Sequence, residues 1–123
     1  MKRRQSVNIV LSKLNGSPSQ QLELFALVNL GLIQSLASGV LTPTNAISRF
    51  YHAANCLYVK SHYRQKEAQE IMSRGIQLAD LFESLSPEEA QSEFYRELET
   101  MRFLCLRILG KGRTRHFPPK AAA

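Results

Sequence analysis

A chain of 123 residues, 44% of them hydrophobic and 21% charged, is long enough for one domain that buries roughly two thirds of its unfolded surface; this excludes wholesale disorder and any need for disulfide staples. The net charge of +6 belongs to the ends. Lys2, Arg3, Arg4 and Lys13 give +4 over 1–18, and Lys111, Arg113, Arg115 and Lys120 give +4 over 111–123, leaving a faintly acidic body at −2.

The first segment, 1–16, reads as a basic arm. Val7, Ile9, Val10, Leu11 and Leu14 fit either a short helix ending at Asn15-Gly16 or an extended strap docked on the body; β-branched crowding argues against a strong helix. The only apolar run near the start, Ile9-Val10-Leu11, is too short for a secretory signal. The helical domain, 17–110, opens at Ser17-Pro18, a cap followed by proline at the first helical position. Leu22, Phe25, Ala26, Val28, Leu30, Leu32, Ile33 and Leu36 run around nearly the whole circumference up to Ala37, and Gly39 closes the helix. This places it at the centre of a bundle, or sets its second face against another subunit. The window Leu24–Ser48 holds 25 residues without a charge, yet Gly39 and Pro43 divide it into two elements, so it reads as core and not as a membrane span.

Thr42-Pro43 repeats the cap-then-proline pattern and begins a helix bearing Ala46, Ile47, Phe50 and Tyr51, with a break expected near His52–Asn55 before Val59. From Gln65 to Leu85, Ala68, Ile71, Met72, Gly75, Leu78, Ala79 and Phe82 recur at three-and-four spacing. Lys66–Glu70 and Glu70–Arg74 are favourable pairs on the outer face, and Gly75 marks a close crossing or a cap. Ser86-Pro87-Glu88-Glu89 is a capping box, followed by a core stripe of Ala90, Phe94, Leu98, Met101, Cys105 and Ile108 that Gly110 and Gly112 should end. The remainder, 111–123, reads as a flexible basic tail. The class is all-α, a compact bundle of four to five helices.

Little chemistry is encoded. His52 and Cys56 are four apart and would share a helical face as nucleophile and base, but no third group or oxyanion device accompanies them; a buried thiol beside a half-exposed histidine is the plainer reading. Asp80 lies beside the Leu78–Phe82 stripe, where partial burial would shift its titration. Cys56 and Cys105, without a closely spaced pair, suit two reduced thiols in a cytoplasm. No catalytic residue, cofactor or metal is expected, and the chain is read as a non-enzyme.

Charge is sorted within the body. Arg49, Tyr58, Lys60, Tyr63, Arg64 and Lys66 interleave cations with rings and no acid, the ingredients of a nucleic-acid or anion contact. Residues 67–99 hold nine acids against Arg74 and Arg96, and Glu67, Glu70, Glu83, Glu93 and Glu97 offer a surface to a basic partner. The expectation is a cytoplasmic protein-interaction module (an adaptor, immunity-type inhibitor or assembly factor) with a protein partner and homodimerisation. A nucleic-acid-binding accessory protein is the alternative.

Leu30-Gly31-Leu32 with Leu36, Gly39-Val40-Leu41-Thr42 leading into Ala46, and Gly75-Ile76-Gln77-Leu78-Ala79-Asp80 stand in an order and spacing that resembles a family of small bacterial helical proteins known only as a domain of unknown function. Gln77 and Ala79 occupy positions where that family carries acids. The resemblance spans about residues 20–109. It implies a compact helical domain of the bacterial cytoplasm and no activity.

Overall fold

The computed structural model describes residues 7–113, with side chains to Gly110. Five helices follow one another: α1 (Pro18–Ala37), α2 (Pro43–Arg49), α3 (Ala53–His62), α4 (Lys66–Ser84) and α5 (Pro87–Arg113), with a single 3-10 turn at Leu11–Lys13 before them. No strand occurs among the described residues.

Four of the five helix starts carry a side-chain cap, and α4 does not. Ser17 caps α1 reciprocally: its hydroxyl accepts from the Gln20 amide at 3.2 Å while its own amide donates to Gln20 Oε1 at 2.9 Å. Thr42 Oγ1 accepts from the Asn45 amide at 3.1 Å, and Ser86 Oγ accepts from Glu89 at 3.3 Å. These bonds satisfy amide donors that have no partner within the helix. Gly39, at φ +83°, takes the left-handed conformation that ends α1 and lets the Leu41 amide return to Ser35 O at 3.1 Å. The break between α2 and α3 falls at Phe50–His52, where the amides of Phe50 and Tyr51 both donate to Ala46 O.

α4 and α5 form an antiparallel hairpin held by Phe82 against Phe94, with centroids 5.3 Å apart, and by Arg74 on Glu97 at 2.7 Å. α1 lies antiparallel along another side of α5: Tyr95 Oη donates to Ala37 O at 3.3 Å, while at the far end Pro18 and Leu22 line the same cleft as Ile108 and Leu109. α5 therefore lies between α1 and α4, and α1 is not at the centre. α2 and α3 pack over α4. The expectation of a fully enclosed α1 fails on its outer face, where Leu24 and Leu27 are 39% and 51% exposed. Its inner stripe of Phe25, Ala26, Asn29, Ile33 and Leu36 is buried. Nor do the late glycines stop α5, which runs through Gly110 and Gly112 to Arg113. A glycine costs about 1 kcal/mol against alanine in a helix, too little to end one of 27 residues.

The core centres on Phe25, whose ring meets Phe50 at 5.9 Å and Tyr63 edge-on at 5.5 Å. Ile71, Leu78, Met101 and Cys105 complete it, each buried side chain of the larger kind contributing about 1.5–3 kcal/mol. The first segment resolves as a docked strap with one 3-10 turn. Ile9 N donates to Arg49 O at 3.0 Å, and Leu11 is wholly buried. Lys2, Arg3 and Arg4, and the tail beyond Arg113, lie outside the described residues.

Candidate functional site

His52 and Cys56 do not form a dyad. His52 precedes α3 as its N-cap, with Nδ1 accepting from the Asn55 amide at 3.4 Å and Nε2 3.0 Å from Asn8 Oδ1. The Cys56 thiol donates to Tyr51 O at 3.7 Å, and burial pushes its pKa up, away from the thiolate a nucleophile needs. Cys105 is fully buried and pushed up to about 12 by the same desolvation. Asp80 is exposed, correcting the expectation of partial burial. Among the described residues no three His, Cys, Asp or Glu side chains gather as a metal site would require. No helix there is long and apolar enough to cross a membrane.

The interleaved basic and aromatic residues separate. Lys60, Arg64 and Lys66 are exposed around the α3–α4 turn, and Arg49 is half-buried at the end of α2. Tyr63 is buried at 4% exposure, so its ring cannot offer a stacking face. Tyr58 lies flat against His62 with centroids 4.0 Å apart and donates its hydroxyl to Gln21 Oε1 at 3.1 Å. The acids separate too. Glu67 is 8% exposed, packed between α4 and α5 with Arg107 at 3.4 Å, which removes it from an open partner surface. Arg74 bridges Glu70 and Glu97, both at 2.7 Å, and these two bonds raise the guanidinium pKa. Glu93 pairs with Arg96 at 3.5 Å, and Glu83 is exposed.

Two features remain unclaimed by packing. The first is the outer face of the α1–α5 pair. Leu24 and Leu27 lie on α1, and Phe103, 57% exposed, and Leu106, 47% exposed, lie on α5. Tyr95 beside Ala37 at one end and Leu22 beside Ile108 at the other fix a register that brings Leu27 level with the turn containing Phe103 and Leu106. Glu99 and Arg102 flank this face as a pair at 3.4 Å. The second is a cleft of about 580 Å³ where the start of α1, the α3–α4 turn and the last turns of α5 meet. Pro18, Leu22, Tyr63, Ile108 and Leu109 give it apolar walls, and Ser19, Glu23, His62, Arg64 and Gln65 a polar rim.

Residues 17–120 match the family described as "Protein of unknown function (DUF3969)". The chain belongs to that family. No curated protein and no solved structure matches it. The match begins at the α1 cap and leaves out the strap that Leu11 anchors in the core.

Sequence reasoning passed over the polar residues that organise the interior. Asn29 is wholly buried; its amide donates to Phe25 O at 2.9 Å and its Oδ1 accepts from Tyr51 Oη at 2.6 Å. Asn55, 1% exposed, accepts from Leu11 N at 2.9 Å and donates to Ile9 O and Phe50 O, both at 2.8 Å. Asn29 had a visible signal, a polar residue in the apolar stripe Phe25–Ile33. Asn55 had none, because its three partners are joined only by the fold.

Proposed function

We propose that this protein is a non-enzymatic interaction module of the cytoplasm that presents the outer face of α1 and α5 to a protein, first of all to a second copy of itself. One observation carries the reading: Leu24, Leu27, Phe103 and Leu106 are between 39% and 57% exposed on two adjacent helices, whereas the inner stripes of the same helices are closed. Large apolar side chains grouped on one face mark a contact surface more often than a solvated one. Two helices of this length span a face of about 30 by 20 Å, roughly 600 Å², close to the ~800 Å² per partner that a stable interface uses. Glu99 and Arg102 put one charge of each sign at the margin, so a second copy related by a two-fold axis would find opposite charges there to pair with.

Sedimentation equilibrium over a concentration series tests this. Dimerisation that Leu27→Glu and Leu106→Glu abolish, with helix content unchanged, supports the reading. A chain that stays monomeric at about millimolar concentration removes the second copy as occupant. Capture of a defined protein that the same two variants lose would then assign the face to an adaptor or assembly role.

The nucleic-acid reading retains the exposed cations Lys60, Arg64 and Lys66 but lacks a free ring beside them, with Tyr63 in the core and Tyr58 on His62. Binding of single-stranded RNA that falls steeply with salt and is lost in a Lys60→Gln/Arg64→Gln/Lys66→Gln chain would restore it.

A further inference from the structure

The cleft between the start of α1, the α3–α4 turn and the end of α5 has the build of a small-molecule site, and none of its residues belongs to the apolar face assigned to protein contact. Its volume of about 580 Å³ lies within the ~300–1,000 Å³ of ligand sites. The two halves of its lining differ in chemistry. Leu22, Ile108, Leu109 and the Tyr63 ring supply an apolar floor continuous with the core. The rim carries one charge of each sign, Arg64 and Glu23. Arg64 is exposed there, and α4, a 19-residue helix, begins beside it at Gln65, whose side chain makes no cap bond although its carbonyl accepts from the Ala68 amide at 3.2 Å. His62 commits its Nδ1–H to Tyr58 O at 3.1 Å, leaving Nε2 as the ring nitrogen that a ligand would meet.

A second observation bears on the same place. Tyr63 lines the cleft, and its hydroxyl is closed to solvent without a hydrogen-bond partner. A buried hydroxyl left unpaired costs about 1–3 kcal/mol, and proteins seldom retain one without a use. Glu23 completes the rim with a negative charge, which favours a singly charged head over a dianion.

We propose that this cleft binds a small amphipathic monocarboxylate, its apolar body on Leu22, Ile108 and Leu109 and its carboxylate at Arg64 and the opening of α4. The proposal is independent of the dimerisation reading, since neither set of variants touches the other surface.

Octanoate titrated into the full chain, followed by backbone amide shifts, is the test, with octanol, octylamine and octyl phosphate as comparators. Octanoate should bind saturably with a Kd below about 1 mM and move the amides of 18–23, 62–66 and 108–109. Octanol and octylamine should bind about tenfold more weakly, and Arg64→Gln should weaken octanoate by about tenfold, the worth of a charge-assisted bond. Tyr63→Phe should raise the melting temperature of the free chain while reducing the gain that octanoate confers, a split that a purely structural tyrosine would not produce. The proposal is overturned by no saturation at about 10 mM, by equal affinity for octanol, by an unaffected Arg64→Gln chain, or by shifts confined to Leu24, Leu27, Phe103 and Leu106. Tighter binding of octyl phosphate than of octanoate would overturn the choice of carboxylate.

Discussion

The ring of Tyr51 lies where a side chain on Gly75 would be: a Cβ built there would stand 2.6 Å from Tyr51 Cδ1 and 2.7 Å from Cε1. The tyrosine cannot easily give way, because its hydroxyl is tied to Asn29 on α1. Gly75→Ala should therefore lower stability by about 2 kcal/mol, the cost of overpacking exceeding the ~1 kcal/mol gained in helix propensity. Urea denaturation reads this directly. In a Tyr51→Leu background the same change should be neutral or stabilising; an unaltered penalty there would show that the ring is not its cause.

Asn55 ties three parts of the chain together: the strap at Ile9 and Leu11, the α2–α3 break at Phe50, and α3 itself. Asn55→Ala leaves buried backbone groups unpaired and should cost about 3 kcal/mol. Removing residues 1–14 deletes two of the three partners. In that shortened chain Asn55→Ala should cost about a third as much, since coupled sites are not additive. Equal costs in both chains would mean that the strap and Asn55 are energetically separate.

Tyr51→Phe alone should destabilise by about 1–2 kcal/mol, because it strands the Asn29 oxygen in a dry interior. The double change Tyr51→Phe/Asn29→Leu should recover most of that loss, since replacing both partners leaves nothing unsatisfied. A double variant no better than the single would point to a packing role for Asn29 beyond this bond.

Alkali should unfold the protein early. Burial pushes the Cys105 thiol from 9.0 up to about 12 and Tyr63 from 10.0 up to about 12. The folded state thus keeps protons that the unfolded chain releases, so stability is full below about pH 9 and declines as pH rises towards 12. The decline should begin near pH 9 with Cys105. Cys105→Val should make the decline between about pH 9 and 10 shallower without abolishing it, because burial raises the Cys56 thiol as well; midpoints measured across pH 8–11 would show this.

Much of the architecture could be read without coordinates, and for local reasons. Ser17-Pro18, Thr42-Pro43 and Ser86-Pro87 each specify a helix start within four residues, and all three caps form. The stripe from Ala90 to Ile108 declares its buried face by spacing alone. Gly75 on an apolar stripe announced a close approach or a cap, and only packing chose the approach of Tyr51. The candidate contacts fared differently. Tyr63 and Glu67 look exposed by residue type and neighbours, yet one is enclosed beside Phe25 and the other lies between α4 and α5 with Arg107.

By itself, then, the order of residues determined which long segments are helical, where α1, α2 and α5 begin and which stripe of α5 faces inward, because capping bonds and helical periodicity act over a few residues. Tertiary structure alone decided that α5 lies between α1 and α4, that Asn29 and Asn55 close the interior, and that one apolar face and one cleft stay open. Those outcomes depend on which helices meet, and apolar residues distributed all around α1 are compatible with several neighbours until packing selects them.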